Sequence, residues 1–478
     1  MIGNFLPEFF ILCYGICVYG LKRFYAKEID WPYGLLLAAL LCFIGGDGSS
    51  GKLHFFEHRP YESLLKFTLL LMAFLLRYFE RENIFKRRLL IMASVLGCLL
   101  TFSSCNLVAL LFSLELSVIP IYFLLWSDVE ENNVASHMKT DTMNLATKIP
   151  EKAMHTRFLF FIYGITSTII FAVSIGIMYA STGFSNFNDI RYIFSFLSKQ
   201  DNLALIASAL MLLSFCIKIG VFLCHWWMFE ALVGKASTAL LIVCILRFSL
   251  AIGFYKLLTS VLYYIDISEI IVLLACVSII FAAILLIFQN DLRKILAYLS
   301  ACHAGILLLC CACKTYTSMR SLIYILLSDI ISVSGIFMFL TAIRKNRSGD
   351  LKSLQDLYCL SRWSARTAIS LSVLWASMFG LLPLIGFWGK YYLCLALLEK
   401  HFIFSAVAVV FFLLAGLICA AKILNAIWFK ESQKKLLFVV DNNTLMKFFN
   451  LIPYFTIVAI PFAQKIAYLM RADLYFIR

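Results

Sequence analysis

Two lysines, Lys218 and Lys390, stand inside stretches of this chain that are otherwise apolar enough to cross a bilayer. An ammonium at membrane depth costs at least about 2.5 kcal/mol on insertion scales, so it is kept where it pairs, exchanges a proton or lines a water path. A matching carboxylate exists. Glu115 lies in the run LLFSLELSVIPIYFLL, five residues before Pro120, and proline leaves backbone carbonyls for water or neighbours to satisfy. Such a carboxylate would favour the charged form of a buried lysine while desolvation favours the neutral one. The pair can then hold or release a proton, or serve as a structural ion pair.

Lys218 lies in LLSFCIKIGVFLCHWWMFE, seven residues before His225, a spacing of nearly two helical turns that puts both on one side. A lysine in an apolar site can relay protons, and an imidazole titrates near neutrality. His225, beside Trp226 and Trp227, equally reads as an anchor of the helix end at the interface. Arg247 occupies the middle of LLIVCILRFSLAIGF; a guanidinium does not deprotonate, so its reading is electrostatic, steering or pairing. His303, in AYLSACHAGILLL, reads either as a packed, hydrogen-bonded histidine or as a relay. Lys390 ends the run SMFGLLPLIGFWGK, where Gly380, Pro383, Gly386 and Gly389 weaken helix continuity. Irregular backbone at depth is tolerated where it lines a cavity or is buried in protein, which makes Lys390 the strongest candidate for a titrating group at the end of a path. The competing reading is a lysine snorkelling to an interface.

The elements that must position these groups follow from composition. The chain has 478 residues, 62% hydrophobic and 14% charged, with 44 Phe and a mean hydropathy of +0.91. Its apolar runs reach the roughly 20 residues that span ~30 Å of hydrocarbon, and about fourteen can be laid out, the first two near 5–21 and 32–46. Runs such as Ile270 to Phe288 are apolar all round, unlike the alternation of a β-barrel strand. The expected fold is an all-α polytopic membrane protein. The spans near 236–264 and 364–398 are too long for one straight crossing and predict broken or tilted helices.

The net charge of +14 reads as topology. More than half of the 41 Lys and Arg fall in loops after odd-numbered spans, which by the positive-inside rule puts both termini on the outer side. Dispersed in this way, the basic residues form no aromatic-laced patch and argue against nucleic-acid binding; they face anionic headgroups instead. Most of the 16 cysteines lie in apolar spans, where free Cys acts as a small hydrophobe. Cys310, Cys311 and Cys313 cluster, but no second pair gives zinc or cluster spacing. Met1 leads into the first span with no basic leader or cleavage site, so no separate signal peptide is expected. The polar stretch Ser127 to Thr156 and the shorter Ser185 to Gln200 read as loops. Neither a Walker loop nor a dinucleotide fingerprint occurs, so no nucleotide or redox cofactor is expected in this chain.

The segments KIGVFLCHWW, QNDLRKILAYLSACHAGILLL, GLLPLIGFWGKYYL and SIGIMYASTGFSNFNDI resemble the antiporter-like subunits of NADH:ubiquinone oxidoreductase, respiratory complex I. The likeness runs from about the third span to the thirteenth. It is greatest for the subunit-2 branch, because the subunit-4 branch is similar around GFWGKYY but has a glutamate where Lys390 stands. The resemblance implies two inverted five-helix repeats with broken helices seven and twelve. It divides the chain into helices 1–3 over 1–87, one repeat over 88–266, a second over 267–430, and a basic-side loop and last helix over 431–478.

It further implies roles: a glutamate–lysine pair at Glu115 and Lys218, a terminal lysine at Lys390, and a histidine of the path at His303. Arg247 stands one residue out of register with the family's helix-eight lysine, and Leu223 replaces the proline that breaks helix seven. The family's PDVYEG stretch survives only as Phe229, Glu230 and Gly234. The implied function is a membrane-arm subunit that couples ubiquinone reduction to proton transfer out of the matrix. FMN, iron–sulfur clusters, NADH and ubiquinone would belong to other subunits. Expected partners are subunits 4 and 4L, the lateral helix of subunit 5, and phospholipids including cardiolipin, in the mitochondrial inner membrane with both termini on the intermembrane-space side. A free-standing cation/proton antiporter, complex I subunit 4, and a structural subunit with a decayed channel are the alternatives.

Overall fold

A computed structural model describes residues 7, 8, 10–14, 38, 51–53, 56–76, 85–137, 148–196, 202–221, 227, 236–264, 267–345, 349–430, 438–440 and 443–475. The first two predicted spans are therefore described only at residues 7, 8, 10–14 and 38, and His225, Leu223, Phe229, Glu230 and Gly234 lie outside the described residues. The described chain is helical, and nine of its helices are long and apolar enough to cross a membrane.

The chain divides into two compact units, one comprising Met1–Gly220 and Val233–Ile267, the other Val221–Leu232 and Ser268–Arg478. In the first unit, a short hairpin of β1 (Gly51–Leu53) and β2 (Phe56–His58) pairs Gly51 opposite His58 and leads into α1 (Pro60–Leu75), which Pro60 starts from the first-turn position where no N–H is needed. There follow α2 (Phe85–Ser103), α3 (Leu107–His137), α4 (Lys148–Thr182), α5 (Phe187–Phe196) and α6 (Asn202–Ile219). Next come α7 (Ala236–Leu240), a π-helical turn over Leu241–Leu246, and α8 (Arg247–Ser260), all in one rod that is buried from Thr238 to Tyr255. α2 packs on α3 and α8, and α4 on α3 and α6.

The second unit holds α9 (Ser268–Phe288), α10 (Leu292–Cys313) and α11 (Tyr316–Ala342), then β3 (Ile343–Lys345) and β4 (Gly349–Asp350). After a 3-10 turn over Leu354–Leu357 come α12 (Leu360–Trp363), α13 (Ala365–Phe379), α14 (Ile385–Glu399), α15 (Ile403–Trp428), β5 (Phe438–Val440) and α16 (Asn443–Tyr475). β3 lies between β4 and β5 and is antiparallel to both. α10 and α11 form the interior of this unit, with α9 and α15 packed together and α13, α14 and α16 against α11.

Two polar stretches expected as loops are largely helix. α3 runs on to His137 and α4 begins at Lys148, so only 138–147 of the first stretch lies outside the described residues. In the second, α5 buries Phe187, Ile190 and Phe194, a three-and-four spacing that makes one apolar face on an otherwise polar segment.

Of the two overlong spans, the one near 364–398 is broken as expected: α13 stops at Phe379 and Gly380 has φ +84°. The one near 236–264 is not; it runs on as a single rod through the π turn, and the other break falls in the preceding span, where α6 stops at Ile219 and Gly220 has φ +79°. Positive φ is a region that glycine enters without strain. Gly386 and Gly389 play a different part from the one their sequence positions suggest. Both lie inside α14, where a Cβ on Gly386 would stand 1.9 Å from the Ser377 carbonyl oxygen and one on Gly389 2.6 Å from Ile325 Cγ1. They permit close helix approach rather than end a helix.

Candidate functional site

In the first unit the interior of α3, α4 and α6 carries the predicted pair. Lys218 Nζ lies 2.6 Å from Glu115 Oε1, with the lysine side chain 5% exposed and the glutamate 21%. Thr168 on α4 completes the group: its hydroxyl lies 2.6 Å from Glu115 Oε1 and accepts from Lys218 Nζ at 3.4 Å. Lys218 is the penultimate residue of α6. Its side chain thus leaves from the last turn of α6, whose unsatisfied carbonyls favour a nearby cation. Arg247 is buried at the first position of α8, directly after the π turn. A π turn holds one more residue than an α turn, the size of the register offset seen at Arg247 in the sequence.

The second unit carries a separate group. Lys390, 1% exposed, donates from Nζ to the Met378 carbonyl at 2.5 Å, in the last turn of α13. This lysine too is held at the carbonyl end of a half-helix. Gly380 makes room for it, because a Cβ there would stand 2.7 Å from Lys390 Cδ and 2.9 Å from Nζ. His303 Nδ1 lies 2.6 Å from Asp329 Oδ1, both groups buried. Phe412 of α15 bridges the two sets: Lys390 Nζ lies 4.8 Å from its ring centroid and the His303 imidazole meets it edge-on at 5.8 Å. The ring face offers a cation a favourable quadrupole without fixing a proton.

The structure thus brings Glu115 to Lys218, and His303 to the ring that covers Lys390. Neither lysine snorkels. Asp329, in YILLSDIISVSG, was missed although it carries the same signal as Glu115, a carboxylate inside an apolar run. Thr168 gave no such signal, since a threonine among apolar residues is ordinary.

A family model described as NADH:quinone oxidoreductase/Mrp antiporter, TM, matches residues 143–418, more than half of the chain. The chain belongs to this family. Among relatives of the NADH:quinone oxidoreductase/Mrp antiporter family, NADH-ubiquinone oxidoreductase chain 2 of Marchantia polymorpha is 24% identical over 420 residues, 82% of this chain and 81% of the relative. NADH-quinone oxidoreductase subunit N 1 of Rhizobium meliloti (strain 1021) is 22% identical over 356 residues, 73% of this chain and 69% of the relative. A chain of respiratory complex I from Thermus thermophilus superposes with a TM-score of 0.77 at 17% identity, covering 95% of this chain and 96% of that one. A chain of the Mrp complex from Dietzia sp. DQ12-45-1b gives 0.77 at 16% identity, covering 99% and 98%. At such identities the two structures establish a shared fold.

Proposed function

We propose that this chain is the subunit-2 component of the membrane arm of mitochondrial NADH:ubiquinone oxidoreductase, and that it couples quinone reduction elsewhere in the complex to proton transfer across the membrane. The observation that carries the reading is the Glu115–Lys218 pair at 2.6 Å, held at the broken end of a helix within a bundle of the antiporter family. At an effective dielectric near 20, charges ~4 Å apart interact by about 4 kcal/mol, worth about a thousandfold in a proton-transfer equilibrium. Parting the pair frees Lys218 to give up its proton, and closing it again favours reloading. Arg247 biases the field without exchanging protons. Lys390 and the His303–Asp329 pair are the exchanging groups of the second unit.

In this reading NADH, FMN, iron–sulfur clusters and ubiquinone are held by other subunits. The chain's neighbours are other membrane-arm subunits, with subunits 4 and 4L and the lateral helix of subunit 5 the ones proposed, and phospholipids including cardiolipin fill the remaining contacts. The distribution of basic loops supports an inner-membrane orientation with both termini on the intermembrane-space side.

The test is proton pumping by the assembled complex carrying Lys218→Met or Lys390→Met. The expected result is fewer protons moved per NADH oxidised, with assembly retained; unchanged pumping by both variants would assign the chain a structural role. The fold shared with a Mrp complex chain supports a second reading, an antiporter that works without redox partners. Gradient-driven proton flux by the purified chain alone in liposomes would favour it.

A further inference from the structure

A second set of buried charges lies in the first unit, on elements the Glu115–Lys218 pair does not use. Lys256 Nζ on α8 lies 2.5 Å from Glu62 Oε1 on α1 and also donates to the Phe102 carbonyl of α2. Lys66, one helical turn after Glu62 on α1, lies 2.6 Å from Glu8 Oε1. Ser103, next to Phe102, donates to that same Glu8 oxygen at 3.1 Å. The last two residues of α2 thus stitch the two ion pairs into one group. Glu62 and Lys66 are wholly buried and Glu8 is 5% exposed.

The position of this tetrad is informative. Glu62 is in the first turn of α1, Phe102 and Ser103 end α2, and Lys256 lies four residues from the end of α8. All three helices place the group near one and the same end of the unit. Arg59, just before α1, pairs with Glu57 of β2 at 3.5 Å and is partly exposed, so charge continues from the tetrad to the rim.

Inward from the tetrad, buried small polar groups continue toward the helix that carries Glu115. Ser249 is seven residues before Lys256, close to two turns and on the same face of α8. The Cys98 thiol of α2 is flanked by Ser249 and by Ser117 of α3, and Ser94 donates to the Ser117 carbonyl at 2.8 Å. Ser117 is two residues from Glu115.

Two further points separate this group from a pair that merely holds helices together. A buried ion pair is weak support for stability, since apolar side chains of the same volume do as well or better. Each carboxylate also uses one oxygen for its lysine and leaves Oε2 buried with no hydrogen-bond partner among the described residues, an acceptor for a proton.

We infer that Glu8, Glu62, Lys66 and Lys256 form a proton-exchange site between the interior of the first unit and the membrane face where α1 begins. The inference rests on the proposed proton-transfer function. The Lys256 ammonium gives a proton to the Glu62 carboxylate, leaving an amine and a carboxylic acid. The acid releases the proton to water at the face, and the amine takes the next one from the serine side.

The experiment compares Glu62→Gln, Lys256→Met and Lys218→Met in the assembled complex, reading protons moved per NADH oxidised. Glu62→Gln and Lys256→Met are expected to lower this ratio by about the same fraction as Lys218→Met, and Glu62→Asp to restore it. If Lys218→Met lowers the ratio while both tetrad variants leave it intact, the exchange site is overturned and the proposed function stands. If no variant lowers it, the exchange site falls, and the proposed function falls with it when Lys390→Met is equally without effect. Where a single variant fails to assemble, the uncharged pair Glu62→Gln with Lys256→Gln keeps an amide contact. Full pumping by that double variant, or its failure to assemble, assigns the tetrad to structure and overturns the inference.

Discussion

Lys218 and Lys390 are held in similar ways by different residues. Each is tied to the C-terminal end of a helix, Lys218 by its place in the last turn of α6 and Lys390 by its contact with the last turn of α13, but Lys218 has a carboxylate at 2.6 Å while Lys390 has the Met378 carbonyl and the Phe412 ring. Lys390 is therefore the more dependent on its backbone surroundings. Gly380→Ala adds a Cβ 2.7 Å from Lys390 Cδ at a backbone φ of +84°, where an L side chain costs about 1–2 kcal/mol. Ubiquinone-linked NADH oxidation by the assembled complex is expected to fall about tenfold, the equivalent of about 1.4 kcal/mol; a full rate would show that Lys390 does not need this turn. Asp329→Asn keeps a hydrogen-bonding oxygen for His303 and removes the charge. Stability should change by no more than about 1 kcal/mol, while pumping per NADH drops. The same signal that exposes Glu115 in the sequence was available for Asp329 and Lys256. Glu62 and Lys66 stand where a span begins, and a charge there reads as interfacial until the fold encloses it.

At the scale of elements, the breaks matter more than the helices. The break at Gly220 ends α6 one residue after Ile219, and that at Gly380 separates α13 from α14; the second was legible as glycine within a span too long to run straight, whereas a break in helix seven was implied by the family resemblance alone. The π turn over Leu241–Leu246 was not, because its six residues are as apolar as an α-helix and only backbone hydrogen bonding distinguishes it. Deleting Val243 is expected to convert this turn to α-helix and leave the faces of α8 unchanged. The complex should then assemble with Lys256 still against Glu62. Deleting Leu250, inside the regular part of α8, rotates Lys256 by about 100° and is expected to abolish assembly, as read on native gels. Equal behaviour of the two deletions would refute the assignment. α14 gives a second lesson: Gly386 looks like a helix breaker in sequence, yet its neighbour is the Ser377 carbonyl of α13, a contact no local pattern reveals.

For the whole molecule, the exposed surface is apolar along one side of each outer helix, as at Phe112 and Phe123 of α3 and Phe404, Val407 and Leu414 of α15. Such a surface is covered by lipid or by neighbouring membrane subunits. Leu414→Arg is expected to cost about 2.5–3.5 kcal/mol of insertion free energy and to lower the membrane-integrated fraction, whereas Leu414→Phe leaves it unchanged; equal integration of both would place α15 against protein. The sequence by itself determined the class, the approximate crossings and the charges that must be enclosed, because each is a one-dimensional consequence of keeping polar groups out of hydrocarbon over a fixed thickness. Which charges meet was decided by tertiary structure alone. Glu115 and Lys218 are 103 residues apart, and Glu62 and Lys256 are 194 apart; only the packing of helices distant in sequence brings such groups within a hydrogen bond of each other.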